Sequence, residues 1–144
     1  MLKGIDPIIS APLISALMEM GHGDEIVFGD ANFPAASHTN RLIYACGHSV
    51  LPLLQAVLKI FPLDYAVDFS GILMRTPPDY PKEPPLWEGM KHLLQKEENG
   101  NKPFLFLSKP EFYARAKEAY AVVTSGEVQT FANIILRKGI ITSQ

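Results

Sequence analysis

The sequence predicts a single α/β domain over residues 1–144, built as a central mixed sheet flanked by helices. Short β-branched or aromatic runs alternate along the chain with amphipathic helical segments. The length of 144 residues is that of one ordinary domain. Hydrophobic residues make up 47% of the chain and charged residues 19%, so there is enough apolar material for one core and a disordered chain is excluded.

The first third of the chain predicts one helix and two strands. Ser10 is a suitable N-cap, Pro12 fits the first turn, and apolar residues at three-and-four spacing predict a helix over residues 10–20 that Gly21 ends. The segments that follow are a strand, a loop and a second strand, at residues 25–28, 31–40 and 41–45.

The rest of the chain continues the alternation. Ser49 is the predicted cap of a second helix, which Pro62 ends, and a third strand is expected over residues 66–74. Five prolines make residues 75–85 a loop. A continuous apolar run at 104–107 predicts a strand covered on both faces. The remaining predicted elements are a helix over 86–95, a polar turn over 96–102, a helix from Ser108 through Ala116, and closing strands at 121–124 and 133–136 separated by a turn at 125–126.

The charge and hydropathy of the chain argue against nucleic-acid binding and against a membrane partner. The 13 Lys and Arg against 15 Asp and Glu form no basic stripe, which argues against nucleic-acid binding. The most apolar run, 51–63, is interrupted by polar residues and prolines and is shorter than the ~20 residues of a membrane span, so no membrane partner is expected. The lone Cys46 and the absence of a secretion signal favour the cytoplasm. A mean hydropathy of +0.08 is high for a small domain and hints at apolar surface buried between subunits.

Several familiar catalytic motifs are missing, and no cofactor or metal is expected. The four histidines, at positions 22, 38, 48 and 92, include no pair at metal-binding spacing. There is no phosphate-binding glycine loop, no dinucleotide fingerprint and no nucleophile elbow. His38 and His48 are expected to be solvated or structural, and His92 to face solvent.

Residues that can move protons or bind hydroxyl groups flank the first predicted strand. His22 lies between Gly21 and Gly23, where substrate can approach the backbone and an imidazole can exchange protons near neutral pH. The alternative is a helix cap followed by an exposed histidine. Asp30 ends the strand beside Asn32, and its carboxylate can accept hydrogen bonds from vicinal hydroxyls, although it can equally open a turn.

These segments resemble the L-fucose mutarotase / D-ribose pyranase family across nearly the whole chain. The segments that carry the resemblance are residues 20–27, 30–35, 112–117, 126–127 and 133–139, and Gly-His-Gly-Asp with Asn-Phe-Pro-Ala is similar to the fucose branch. The resemblance implies a cofactor-free enzyme that interconverts the α and β anomers of L-fucose. It implies His22 as the catalytic acid/base, and it implies a sugar site formed by Asp30, Lys109, Phe131, Ala132 and Asn133. It also implies a ring-shaped homo-oligomer, commonly a decamer, with sites near subunit boundaries.

The same resemblance shows two departures that concern affinity and specificity. Lys109 stands where the fucose branch usually carries arginine, and Phe131 stands where a Tyr-x-Asn pattern places tyrosine. A D-ribose pyranase and a non-catalytic monosaccharide-binding module therefore stay open as alternatives. Tyr80 and Trp87, at the proline-rich loop, are expected in a lid or a subunit contact, whereas Arg115 and Lys117 are expected at the surface or an interface, with at most one of them facing a site.

Overall fold

The structure, a computed structural model, describes residues 1–143 and contains one mixed sheet with helices on both faces. The strands are β1 (Glu25–Gly29), β2 (Leu42–Ala45), β3 (Ile72–Met74), β4 (Leu105–Leu107), β5 (Ala121–Ser125) and β6 (Ile134–Arg137). The helices are α1 (Ala11–Glu19), α2 (Val50–Leu58), α3 (Leu86–Gln95) and α4 (Lys109–Glu118), with a short 3₁₀ turn at Ala36–His38. The predicted fold class, a mixed sheet flanked by helices, is confirmed.

The strand order is β2-β5-β1-β6-β3-β4, and β6 alone runs against the other five strands of this sheet. The C-terminal ends of those five strands therefore share one edge, which we call the carboxyl edge. Their N-terminal ends share the opposite edge, the amino edge. Residues 25–28 of β1 pair with β6 in a fixed register, with Phe28 opposite Ile134 and Glu25 opposite Arg137. The start of β6 consequently lies at the carboxyl edge and its end at the amino edge.

Alternating side chains bury both faces of the sheet. Ile26 and Phe28 pack with α1, α2 and α3 into the larger core. Val27 points the other way, into a smaller core that holds Phe112 of α4 and Phe33. Burial on both faces explains why the central strands read as continuous apolar runs.

Helix ends are closed by specific polar contacts. The Ser10 hydroxyl accepts the Leu13 N–H at the start of α1, and Ser108 with Glu111 forms a reciprocal capping box at the start of α4. Ser49 occupies the N-cap of α2 as predicted, but its side chain makes no capping bond. A Glu127 carboxylate oxygen accepts the Val50 N–H instead, at 3.3 Å.

Two predicted strands differ from those observed. The third strand is limited to Ile72–Met74, because residues 65–68 form a turn in which Asp64 Oδ1 accepts the Ala66 N–H and Lys102 Nζ donates to the Tyr65 and Val67 carbonyls. The run at 104–107 forms β4, but β4 is an edge strand with partly exposed side chains and is not covered on both faces. The proline-rich segment 75–85 contains neither helix nor strand, which confirms the predicted loop.

Candidate active site

A buried carboxylate lies at the carboxyl edge, directly after β1. Asp30 is 4% exposed, and its N–H donates to Asn133 Oδ1 at 2.7 Å. Its own Oδ1 accepts the Asn32 N–H at 2.9 Å. Burial raises the pKa of Asp30 above its usual value, although hydrogen bonds from Asn32, Ala132, Phe33 and Asn133 partly offset this effect. A ligand that supplies hydroxyl donors would further stabilise the ionised carboxylate.

The segment before β6 completes this part of the edge. Phe131 adopts a positive φ of 57°, and its carbonyl accepts the Trp87 Nε1–H at 2.8 Å. The Phe131 ring meets the Tyr80 ring edge to face, with centroids 5.0 Å apart. Ala132 has a fully buried side chain and contributes its backbone N–H to Asp30. This segment therefore offers an aromatic edge and a fixed amide beside a carboxylate.

Lys109 joins the same edge because it follows β4 and begins α4. It is exposed, and its Nζ lies 5.6 Å from the centroid of the Tyr113 ring. Tyr113 packs at right angles on Phe33, with centroids 5.5 Å apart, and the Phe33 N–H donates to the Asp30 carbonyl. These contacts link the lysine to the Asp30 loop through two aromatic rings.

His22 lies at the amino edge, before β1. Its Nε2 is 2.9 Å from Asp64 Oδ1, its ring stacks on Tyr65 with centroids 5.7 Å apart, and its side chain is 41% exposed. The next residue, Gly23, has a φ of +88°, and its N–H donates to the Lys138 carbonyl. A side chain at Gly23 would be strained and would meet the Arg137 guanidinium at 3.1 Å. The backbone thus presents an accessible, oriented imidazole.

A network of alternating charges supports this imidazole. Arg137 Nε donates to Asp64 Oδ2 at 2.8 Å, and Arg137 Nη1 lies 3.5 Å from Glu25 Oε2. Arg115 donates to both Glu25 oxygens, each at 2.8 Å. The sequence analysis missed Asp64 and Glu25, because the His22–Asp64 and Arg115–Glu25 pairs are 42 and 90 residues apart in the chain and leave no local pattern.

The site residues divide between the two edges of the sheet. Asp30, Lys109, Phe131, Ala132 and Asn133 lie at the carboxyl edge, and His22 lies at the amino edge. The four residue steps of β1 alone span about 13 Å. One chain therefore does not bring His22 within reach of a sugar bound at Asp30.

Other predicted residues have more ordinary positions. His92 and His48 are exposed as expected, and His38 Nδ1 lies 2.8 Å from the Pro34 carbonyl oxygen. Trp87 is not a lid residue, since it is 7% exposed and packs in the larger core. Arg115 is not a free surface cation, because Glu25 binds it.

Two concavities lie on the surface, and neither is lined by Asp30, Lys109, Phe131, Ala132 or Asn133. One, of about 670 Å³, is lined by residues 58–63 and 97–99 and by Tyr65, and the other, of about 340 Å³, by residues 33–37. Across residues 1–143 there is no cluster of three or more acidic, histidine or cysteine side chains that could hold a metal ion. Over the same residues, no helix is both long enough and apolar enough to cross a membrane.

The sequence is similar to known proteins over almost its whole length. Residues 3–141 match the model of the RbsD / FucU transport protein family. The chain belongs to this family. Among its relatives, a fucose mutarotase from Mus musculus is 43% identical over 146 residues, which cover 97% of this chain and 95% of the relative. An L-fucose mutarotase from Haemophilus influenzae is 40% identical over 140 residues, which cover 97% of each chain.

A solved structure of the family extends the likeness to three dimensions. The fucose mutarotase from Streptococcus pneumoniae, crystallised in complex with L-fucose, superposes with a TM-score of 0.91 at 40% sequence identity. The superposition covers 98% of this chain and all of that one. The fold described above is therefore the fold of a family member that binds L-fucose.

Proposed function

We propose that this chain is an L-fucose mutarotase, a cofactor-independent isomerase that interconverts the α and β anomers of L-fucose. The observation that carries the proposal is the near full-length identity of 40–43% to fucose mutarotases, one member of the family having been solved with L-fucose bound. The chain also supplies the parts that this reaction needs, namely an accessible imidazole and a separate set of hydroxyl-binding groups.

The chemistry of mutarotation needs one group that can both take and give a proton. The anomeric hydroxyl loses its proton as the anomeric C–O bond becomes a carbonyl, and the ring C–O bond breaks with its electron pair going to the ring oxygen, which takes up a proton. Both oxygens are bonded to the anomeric carbon, so one well-placed imidazole can serve both. Ring closure on the other face of the aldehyde gives the second anomer. His22 is assigned this role.

Asp30, Asn133 and Lys109 are assigned to the sugar hydroxyls, with Phe131 against the apolar face of the sugar and the Ala132 amide beside them. Asp30 and Asn133 are mutually hydrogen bonded and buried, so their positions are set before a ligand arrives. The exposed Lys109 offers three donors but not the planar fork of arginine. Preorganised acceptors of this kind favour a polyhydroxylated ligand.

A complete site then requires two copies of the chain. His22 and Asp30 lie at opposite ends of β1, so the amino edge of one subunit would meet the carboxyl edge of the next. A repeated contact of one edge with the other is heterologous, and such contacts form a ring when the rotation between neighbouring subunits closes. We infer a ring-shaped homo-oligomer, a decamer by resemblance to the family, located in the cytoplasm.

The proposal is tested by exchange NMR on the anomeric protons of L-fucose, with D-ribose as the comparison sugar. Wild-type protein is expected to accelerate α/β exchange of L-fucose, and His22→Gln is expected to lose about 100-fold or more of that acceleration. His92→Gln, which changes an exposed histidine of α3, is the matched control and is expected to exchange at the wild-type rate.

Three other results would each point to a different conclusion. Faster exchange of D-ribose than of L-fucose would indicate a ribose pyranase. Binding of L-fucose with no acceleration would indicate a binding module with a changed pocket at Lys109 and Phe131. Wild-type rates in His22→Gln would remove His22 from the mechanism.

A further inference from the structure

The contacts around Asp64 hold its side chain as an ionised carboxylate. Its side chain is 1% exposed, and both oxygens are engaged, Oδ1 by the Ala66 N–H and His22 and Oδ2 by the Arg137 guanidinium. Burial by itself would raise the pKa of Asp64, but the contacts with Ala66, His22 and Arg137 outweigh it and hold the pKa below its usual value. Asp64 is therefore an ionised carboxylate at neutral pH, and an ionised carboxylate only accepts hydrogen bonds.

Backbone hydrogen bonds fix the position of this carboxylate. The Asp64 N–H donates to the Arg137 carbonyl at 3.2 Å, and the Gly139 N–H donates to the Pro62 carbonyl at 2.8 Å. A side chain at Gly139 would place its Cβ 2.3 Å from the Leu63 carbonyl oxygen, so the two segments pack without a gap. Asp64 is thus tied to the end of β6, beside the residue that pairs with its own side chain.

An acceptor in this position determines which nitrogen of His22 carries the proton. Nε2 must donate to Asp64, both in the neutral imidazole and in the imidazolium. In the neutral ring the lone pair is then on Nδ1, for which residues 1–143 show no hydrogen-bond partner. Tyr65 stacks against one face of the ring and limits its rotation.

We infer that Asp64 is a positioning residue that fixes the Nε2–H tautomer of His22, so that Nδ1 is the atom that exchanges protons with the sugar. The anomeric hydroxyl transfers its proton to Nδ1, and the imidazolium so formed is stabilised by the Asp64 carboxylate without a second proton transfer. Nδ1 then returns the same proton to the ring oxygen, and His22 is neutral again after each opening. The role in the reaction rests on the proposed function, whereas the tautomer does not.

The tautomer is measured without sugar, on the full-length protein with ¹⁵N-labelled histidine rings at about pH 8.5, where histidine side chains are ordinarily neutral. His22→Gln removes one set of ring signals and so identifies those of His22. We expect the His22 Nε2 to carry the proton and Nδ1 to show the shift of an unprotonated ring nitrogen. A proton on Nδ1 would overturn the inference, and this measurement needs no variant of the buried Asp64.

Asp64→Asn tests the consequence, because a carboxamide can donate to Nε2 as well as accept from it. The variant is expected to shift His22 toward the Nδ1–H tautomer and to lower the L-fucose exchange rate constant kcat by about 100-fold or more, with KM nearly unchanged because the hydroxyl-binding residues lie at the other edge. Asp68→Asn changes an exposed carboxylate of the same loop and is the matched control, expected to leave the tautomer and the rate as in wild type.

The outcomes distinguish a failure of the mutarotase assignment from a failure of the role inferred for Asp64. If wild-type protein shows the Nε2–H tautomer but does not accelerate anomer exchange, the mutarotase assignment fails and the structural role of Asp64 stands. If Asp64→Asn folds and exchanges L-fucose at the wild-type rate, Asp64 has no role in positioning His22 for the reaction, whatever the tautomer.

Discussion

Two variants of this chain with strongly reduced activity should restore activity to each other when they assemble together. His22→Ala removes the imidazole at the amino edge, and Asp30→Asn weakens the proposed hydroxyl acceptor at the carboxyl edge. The structure places these residues at the two ends of β1, about 13 Å or more apart, so a single chain does not hold both against one monosaccharide. Each variant consequently keeps one intact half of the proposed site.

The size of the recovery follows from random assembly. In an equal mixture, about one quarter of the sites pair an intact His22 with an intact Asp30 from the neighbouring subunit. A charged hydrogen bond is worth about 1.5–3 kcal/mol, so Asp30→Asn alone is expected to retain at most about one tenth of the wild-type activity. His22→Ala is expected to retain about one hundredth or less. A recovery to about one quarter of the wild-type activity is therefore well above the activity of either variant alone.

The assay is α/β exchange of L-fucose by NMR, after the two variants are co-expressed with different tags and the doubly tagged oligomer is purified. A mixture of His22→Ala with His22→Gln is the control, since both defects fall on the same half of the site and no intact pair forms. If the mixed oligomer of His22→Ala and Asp30→Asn shows no recovery, or if the protein has the mass of a monomer, the two-copy site is wrong.

Three further predictions concern stability and are checked by urea unfolding. Ser108→Ala, which removes the capping box of α4, should cost about 1 kcal/mol, whereas Ser49→Ala should be close to neutral because its side chain makes no capping bond; equal losses would contradict this account. Phe112→Ala should cost about 3–5 kcal/mol, since Phe112 is fully buried in the smaller core, and a loss below about 1 kcal/mol would show that α4 does not pack as described. The lowered pKa of Asp64 makes its ionised form stabilising above the unfolded-state value of about 4, so the stability difference between wild type and Asp64→Asn should be largest near pH 7 and shrink as the pH falls through 4 toward 3; a difference that does not vary with pH would contradict the pairing.

Most of the fold could be predicted from the sequence. The spacing of apolar residues that is typical of a helix or a strand is visible wherever the element buries its side chains against one core. The predicted helix over residues 10–20 and the observed α1 differ by one residue at each end. The prediction was wrong where a side chain from elsewhere in the chain decides the local structure. Residues 66–71 have the apolar content of a strand, but Lys102 binds two of the backbone carbonyls just before Asp68 and holds a turn there.

The candidate site was less predictable than the fold. His22 and Asp30 could be named from local pattern, because a histidine between glycines and an aspartate at a strand end are visible in the sequence. The partner of His22 could not. Asp64 reaches His22, and Arg137 reaches Asp64, only because β6 returns antiparallel beside β1 and pairs with the 62–64 loop at its end. Trp87 was expected in a lid or a subunit contact because it borders the proline-rich loop, but its ring is buried and its N–H donates to the Phe131 carbonyl.

The division of the site between two edges also follows from the strand itself. A strand of five residues with the proposed proton-transfer group before it and the proposed hydroxyl-binding group after it cannot turn both toward one ligand, since its backbone is extended. Asp30 is buried with a raised pKa, which means that its ionised form destabilises the ligand-free fold at neutral pH. Sugar hydroxyls would supply the missing donors there, while the neighbouring subunit would cover the exposed face of His22 and exclude water from the transfer of the proton. Ligand binding would then satisfy the buried Asp30 carboxylate, and assembly would enclose the His22 imidazole, which one isolated chain leaves exposed.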